Sequence, residues 1–363
     1  MRELCFIVNV DYFFHSHRKP LERMLSSTFN TTVIAGYSGL ETEYTISTFE
    51  VNSRIPTIRG LFQFYREIKK LKKDTIFIVV TPVMIILSHF ILRNRRKVFY
   101  NFSGLGFLRS LSPILRKMVL NVIKFYPVSG NRVFIVQNSD DYKYLIGSFG
   151  AKRNFHIEII PGSGFESSNE TMCARKFNKL SIGYVGRIRK DKGVLDLVRA
   201  VTELVENGHE VDLKIWGELD DERLHGFNQF ELEELRRCKN YFYGFSKNKD
   251  EIFSSFNWFC LPSNGEGLSK SAIEACCYRL PLILSNVPGN RDMINGNGFL
   301  FEFSNVENLK NVIIDVSNLT RKEIELMSEK SRKLFEENWT IESIQKKWNE
   351  ILINYDIISV KRT

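Results

Sequence analysis

The chain has 363 residues, of which 43% are hydrophobic and 26% charged, with a net charge of +9 and six cysteines. That length accommodates two domains with separate cores, and the composition excludes a disordered, collagen-like or disulfide-scaffold protein. Cys5, Cys173, Cys238, Cys260, Cys276 and Cys277 form no C-x-x-C pair and several sit in apolar runs, as reduced buried thiols do.

The opening run 1-MRELCFIVNVD-11 reaches Asp11 too soon for a signal peptide and reads as a strand near 3–10. A polar loop, 11-DYFFHSHRKP-20, leads to a helix near 20–29, strands near 31–35 and 43–49, and a helix over 59–73. The best membrane-spanning candidate is 76-IFIVVTPVMIILSHFIL-92, which at 17 residues is at the short edge of a span. Pro82 divides it, which favours a β-branched strand over 76–80 and a helix over 83–92. A strand near 97–102, a helix over 107–125, a strand at 132–136, a helix at 139–148 and a strand at 156–160 follow. The stretch 161-PGSGFESSNETMCARKFN-178 is rich in Gly and Ser and reads as a linker.

Beyond it, strands near 180–186, 211–216, 240–243, 257–261, 281–284 and 298–301 alternate with helices near 191–207, 230–237, 248–255, 267–278, 305–317 and 320–337. A last helix over 340–356 places Ile341, Ile344, Trp348, Ile351 and Leu352 on one face. Strand–helix alternation at this spacing predicts an α/β chain with two parallel, doubly wound, Rossmann-like sheets. The expected domains are 1–165 and 166–340, with 341–363 a C-terminal helix packing across both.

Charge is unevenly placed. Residues 1–165 hold 23 Lys+Arg and 11 Asp+Glu, or +12, against 28 and 31, or −3, in 166–363. A basic first half suits an anionic partner (nucleic acid, anionic lipid or a phosphorylated acceptor), or is a solubilising bias. No recognisable reading helix or RNP-type aromatic motif accompanies it.

The strand 257-NWFCLP-262 runs into the small loop 263-SNGEG-267 and then a helix. Ligands of doubly wound folds bind at such strand ends, and amides of Gly267, Leu268 and Ser269 at a helix start suit a phosphate oxygen. Glu266 in the loop and Glu274, two turns along, then flank the phosphate as hydrogen-bond acceptors for sugar and ribose hydroxyls. Without a ligand, the same carboxylates read as solvated charges. A second cluster, 180-LSIGYVGRIRKDKGVLDLVRAV-201, is a strand, a turn at Gly186, basic residues and a helix. Arg187 and Lys192 beside that helix start suit a diphosphate, or pair with Asp191 or Asp196. Glu218 in 215-IWGE-218 lies at another strand end, and Phe245 follows Gly244 in 241-YFYGFSKNKDEIF-253. In the first half, His15, His17, Arg18 and Lys19 share one strand-end loop and can meet a phosphate, or the histidines are structural, and 104-GLG-106 permits close backbone approach. There is no His/Cys cluster at zinc spacing, so no metal and no other cofactor is expected.

The order 185-VGRIRKDKG-193, 216-WGE-218, 243-YGF-245, 266-EGLSKSAIEA-275 and 288-PGNR-291 is similar to retaining glycosyltransferases of the GT-B fold, family 4. It most resembles bacterial enzymes that extend lipid-linked sugars for surface polysaccharide such as O-antigen or capsule. The likeness is strongest over 180–300 and continues at 8–21, 101–108, 134–141 and 160–165. It implies two Rossmann-like domains facing a cleft, with the C-terminal helix bridging back. The second domain would bind a nucleotide diphospho-sugar, UDP-linked in expectation, and the first a polyprenyl-diphosphate saccharide.

The resemblance also implies site roles. Arg187, Lys192 and Glu266 would be catalytic. Gly186, Glu218, Phe245, Gly267, Leu268, Ser269 and Glu274 would bind the donor, with the nucleobase near Gly244 and Phe245. His15, His17, Arg18 and Gly104 would meet the acceptor. Many family members carry a histidine near the turn occupied here by Asn101, Phe102 and Ser103. The runs 59-RGLFQFYREIKKLKKD-74 and 107-FLRSLSPILRKMVLNVIKF-125 mix basic and large apolar residues, as helices packed on a sheet or lying on an anionic bilayer do. With the +12 half they lead to the expectation of a cytoplasmic protein in peripheral contact with the inner face of the membrane, with no nucleic-acid partner. The competing readings are a GT-B sugar-nucleotide epimerase, a basic nucleic-acid-binding protein and an inactive GT-B scaffold.

Overall fold

A computed structural model describes residues 1–37, 47–52, 55–95, 97–126, 128, 131–150, 155–166, 179–220, 226–238 and 241–357. The chain divides into two compact units, one of Met1–Phe165 with Ile341–Thr363 and one of Glu166–Thr340.

The first unit runs β1 (Arg2–Val8), α1 (Asp11–His17), α2 (Lys19–Ser26), β2 (Phe29–Gly36), β3 (Ser47–Phe49), β4 (Val51–Asn52), β5 (Ile55–Pro56), α3 (Ile58–Lys70), β6 (Ile76–Val80) and α4 (Pro82–Ile91). It continues with β7 (Lys97–Asn101), α5 (Gly106–Ser110), α6 (Pro113–Phe125), β8 (Asn131–Val136), α7 (Ser139–Phe149) and β9 (Phe155–Ile159). Seven strands form a parallel sheet in the order β3-β2-β1-β6-β7-β8-β9. The side-chain period of two sends Leu4, Phe6 and Val8 of β1 to one core and Cys5 and Ile7 to the other. Because helices cover both faces, β6 is apolar at every position, IFIVV, and wholly buried. Pro82 opens α4, where its fixed φ suits a first turn. The apolar run at 76–91 is thus a strand and a helix, and among the described residues no helix is long and apolar enough to cross a membrane.

Three local expectations change. The polar stretch 11–20 is not a loop but α1 and α2, since Phe14, Leu21, Met24 and Leu25 supply a buried stripe. The run 107–125 is two helices, because Ser112 caps a new one at Pro113. The strand expected at 43–49 is described over 47–49 only; 43–46 lie outside the described residues.

The second unit runs β10 (Leu180–Val185), α8 (Val194–Glu206), β11 (Val211–Trp216), α9 (Gln229–Arg237), β12 (Phe242–Gly244), α10 (Lys249–Ser254), β13 (Trp258–Leu261), α11 (Lys270–Cys277), β14 (Leu282–Ser285), β15 (Gly298–Phe301), α12 (Val306–Ser317) and α13 (Arg321–Asn338). Its six strands are parallel, in the order β12-β11-β10-β13-β14-β15.

The last helix, α14 (Ile341–Asn354), belongs to the first unit. Ile344, Trp348, Ile351 and Leu352 join the core that holds Phe6, Phe14 and Phe99, with Trp348 edge-on to Phe99 at 6.0 Å. The C-terminal helix thus returns to the first unit and forms part of its core. Its amphipathic spacing shows that it packs, but not on which sheet. Burying a side chain of this size contributes about 2–3 kcal/mol.

Among the described residues Cys5, Cys238, Cys260, Cys276 and Cys277 are free thiols. Burial pushes Cys5 and Cys276 up to about 12, so neither is a reactive thiolate.

Candidate functional site

In the second unit the loops after β10, β11, β13 and β14 gather at the carboxyl ends of a parallel sheet, where helix N-termini converge. At the end of β10, the buried Tyr184 hydroxyl donates to the Arg187 carbonyl at 2.8 Å and fixes the turn at Gly186. Burial raises the Tyr184 pKa, reinforced by the carboxylates of Glu266 and Asp191. The Gly186 amide donates to the Trp216 carbonyl at the end of β11, and the Gly217 amide to the Gly244 carbonyl at the end of β12. The three strand ends are thereby tied to one another.

The basic run then divides. Arg187 is well exposed, and its Nη1 lies 3.2 Å from Asp220. Arg189 pairs with Asp191 at 2.8 Å and with Asp220 at 3.4 Å, and the Asp191 carboxylate holds its pKa above the usual value. Lys190 pairs with Glu231 at 2.7 Å. Lys192 closes a single 3-10 turn before Gly193, whose φ of 68° is left-handed. A Cβ at Gly193 would meet the Pro262 carbonyl oxygen at 2.0 Å, so glycine lets the start of α8 press against the end of β13. That approach brings the Lys192 Nζ within 2.6 Å of Glu266 Oε1, and both side chains are largely buried. Two residues separated by 74 positions thus meet.

The loop carrying Glu266 is held from behind. Ser285 Oγ donates to the Ser263 carbonyl at 2.5 Å, and Asn290 Nδ2 donates to Ser285 Oγ at 3.0 Å. All three side chains are buried. The Glu266 amide donates to the Pro288 carbonyl at 3.1 Å, and a Cβ at Gly289 would strike the Glu266 carbonyl at 2.3 Å. In sequence the 288–291 run stands out only as part of the family resemblance. The signal for this brace is a buried serine closing β14 with an asparagine five residues on.

Ser269 Oγ accepts from the Ala272 amide and caps α11, which begins at Lys270 rather than at 267. The expectation that Gly267, Leu268 and Ser269 present the unpaired first-turn amides is corrected accordingly: those three form the loop and cap, and Gly267 already has a partner. The first-turn amides not taken by the cap include those of Lys270 and Ser271. Glu274, the fifth residue of α11, is about one turn along rather than two. Its Oε1 lies 2.8 Å from Lys249 Nζ, close enough for an ion pair but without good hydrogen-bond alignment. Glu218 is exposed, its carbonyl accepting from the Ile188 amide, and Phe245 is exposed beside Gly244. Asp220 and Lys249 were missed as partners because they lie 33 and 25 residues away in sequence from the groups they hold.

In the first unit, Arg18 stands between α1 and α2 and is 2% exposed. It donates to Ser163 Oγ at 2.5 Å and to Ser103 Oγ at 2.7 Å, and lies 5.8 Å from the centre of the Phe13 ring. Ser103, in the position near which family members carry histidine, is thus an acceptor for this guanidinium. His15 is half-buried in α1, and Gly104 is in the turn before α5 with φ 126°. His17 belongs to α1, and its side chain lies outside the described residues. Among the described residues no group of three or more His, Cys, Asp or Glu comes together as a metal site would require.

Residues 174–334 match the family described as glycosyl transferases group 1. Over 188 residues the chain is 29% identical to the capsular polysaccharide biosynthesis glycosyltransferase CapM of Staphylococcus aureus, covering 46% of this chain and 48% of CapM. Over 166 residues it is 25% identical to the UDP-Gal:alpha-D-GlcNAc-diphosphoundecaprenol alpha-1,3-galactosyltransferase of Escherichia coli, covering 45% of this chain and 42% of that enzyme. The chain spans about half the length of these curated relatives. The crystal structure of Anabaena Alr3699/HepE in complex with UDP and glucose superposes with a TM-score of 0.71 at 15% identity, covering 97% of this chain and 99% of that one. Two parallel-sheet units of this kind are the GT-B fold, and the stretch that matches the glycosyl transferases group 1 family, 174–334, lies in the second of them.

Proposed function

We propose that the protein is a retaining glycosyltransferase that moves a sugar from a UDP-sugar to a lipid-linked, polyprenyl-diphosphate saccharide in bacterial surface-polysaccharide synthesis. The observation that carries this reading is the Lys192–Glu266 contact at the strand ends of a glycosyl transferases group 1 domain. A cation suited to a diphosphate and a carboxylate suited to sugar hydroxyls are held side by side, next to the start of α11. The UDP and glucose of the HepE crystal and the UDP-Gal and diphosphoundecaprenol in the name of the Escherichia coli enzyme support the choice of donor and acceptor class. Retention follows from the family likeness alone.

In this reading Lys192 exchanges Glu266 for the donor diphosphate, and Arg187 exchanges Asp220. Both then oppose the charge that grows on the leaving diphosphate, so they act on the transition state more than on the bound substrate. Glu266, released from Lys192, accepts from the transferred sugar. Glu274, released from Lys249, accepts from the ribose. No metal is assigned, because the cations of the chain itself neutralise the diphosphate.

The first unit takes the acceptor at a cytoplasmic membrane surface. Its α6 exposes Ile114, Leu115, Met118, Val122 and Phe125, and the helix carries Arg116, Lys117 and Lys124 with no acidic residue. Exposed Ile58, Phe62 and Tyr65 make a similar stripe on α3, beside Arg59, Arg66, Lys69 and Lys70. Apolar stripes with basic flanks suit an anionic bilayer.

The test is product formation from a panel of UDP-sugars with bacterial polyprenyl-diphosphate saccharides, followed by mass spectrometry. The double variant Arg187→Ala, Lys192→Ala should lose at least about 10²–10³-fold in turnover. Donor conversion without acceptor modification would instead mark an epimerase, and an undiminished double variant would remove the assigned roles.

A further inference from the structure

In the first unit the chain moves outward from β1 through β2 to β3, then returns to the other side of β1 and runs through β6, β7, β8 and β9. The topological switch point therefore lies between β1 and β6, and crevices at the carboxyl side of such points take ligands. Arg18 follows β1 but bonds to Ser103, two residues beyond the end of β7, and to Ser163, four residues beyond the end of β9. Since β6 lies between β1 and β7 in the sheet, the Arg18–Ser103 bond joins the segments that follow the strands on either side of β6.

Three features there are not explained by the packing. First, Arg18 is buried and bonds to two neutral hydroxyls, with no carboxylate partner among the described residues. Burial alone, with no opposing carboxylate, pushes its pKa down to about 10. Second, its Nε is buried with no acceptor. Third, Thr81, the residue between β6 and α4, holds φ 75°, rare for a β-branched residue, and its buried Oγ1 has no partner. A guanidinium N–H and a hydroxyl are thus left unsatisfied at the same end of the sheet, beside a cation without a counter-charge. A buried unpaired charge is costly unless a ligand supplies its counterpart.

We infer that Arg18, with Ser103, Ser163 and Thr81, forms a subsite for a phosphate or diphosphate group in the first unit. The planar fork of arginine suits such an anion, and the Nε–H is the donor kept vacant for it. Its assignment to the diphosphate of a lipid-linked acceptor rests on the transferase reading; the anion subsite itself does not.

The experiment titrates the full chain, carrying Arg187→Ala and Lys192→Ala to silence the cations of the second unit, with farnesyl diphosphate and with inorganic pyrophosphate. Calorimetry reads affinity and thermal melting reads stability. Both probes are expected to bind, farnesyl diphosphate more tightly. Adding Arg18→Met should weaken both by about tenfold or more, while the melting temperature without anion stays level or rises, because an apolar chain replaces an unpaired buried charge. A fall in that melting temperature with unchanged anion affinity would show a purely structural arginine and overturn the proposal. If the methionine variant fails to fold, Arg18→Lys decides: it keeps the charge and loses the fork, so affinity should drop about tenfold, and an unchanged affinity overturns the subsite. Equal affinity for the two probes would support the anion subsite and overturn its assignment to a lipid-linked acceptor. UDP binding by the unaltered chain reads the transferase proposal separately.

Discussion

The candidate sites of the two units hold their cations in opposite ways. In the second, Arg187, Arg189, Lys190, Lys192 and Lys249 each rest against a carboxylate at 2.6 to 3.2 Å. In the first, Arg18 is more deeply buried than any of these and rests against hydroxyls. Part-exposed ion pairs contribute only about 0–1 kcal/mol each, so an incoming diphosphate exchanges partners at little cost. A buried cation without a counter-charge carries a penalty on the order of several kcal/mol, which the surrounding fold must offset. In the proposed reading, the second unit stores its cations on displaceable carboxylates, whereas the first holds one buried cation against hydroxyls.

The units also differ in what completes them, and the largest expected effect lies there. The first unit takes its closing core helix from the far end of the chain, so Trp348→Ala should destabilise it by about 3–5 kcal/mol, read by chemical denaturation. A change below 1 kcal/mol, on the order of a surface substitution, would mean that α14 is not part of that core. Next comes Glu274→Ala, which removes the proposed ribose acceptor. UDP affinity should fall about tenfold to a hundredfold, since hydrogen bonds to charged groups contribute about 1.5–3 kcal/mol. Unchanged affinity would leave Glu274 as a partner of Lys249 and nothing more.

A smaller effect is expected at Gly193. Alanine there costs about 1–2 kcal/mol from the left-handed backbone alone, and its Cβ meets the Pro262 carbonyl. The start of α8 must then retreat from β13, parting Lys192 from Glu266, so donor affinity should fall along with the melting temperature. Affinity that survives the stability loss would show that the contact is incidental. The smallest effect is on α6: serine at Ile114, Met118 and Phe125 should weaken co-sedimentation with anionic vesicles and leave the fold untouched, since these side chains are exposed. Equal binding to neutral and anionic vesicles would argue against the basic flank.

Much of this was legible in the residues. The apolar run at 76–91 is divided by Pro82 where the strand gives way to the helix. The spacing of Ile344, Trp348, Ile351 and Leu352 marks an amphipathic helix. What a linear reading lacks is partnership. The α14 stripe does not say which sheet it covers, and nothing near Arg18 in sequence points to Ser163, 145 residues away. The same holds for Lys192 and Glu266, whose meeting depends on how β10 pairs with β13. The start of α11 lies later than the sequence suggests because Gly267 and Leu268 read as a first turn, whereas Ser269, with the Ala272 amide three residues on, is the cap. The stretch 11–20 reads as a loop because its histidines and cations mask the apolar spacing of Phe14 and Leu21.

Calorimetric titration with a UDP-sugar panel, comparing the unaltered chain with Lys192→Ala, bears most directly on the whole account. The prediction is saturable binding of UDP and at least one UDP-sugar, weakened about tenfold or more when the ammonium is removed. If no member of the panel binds the unaltered chain, or the variant binds as well as its parent, the second unit does not hold a nucleotide-linked sugar at Lys192 and Glu266.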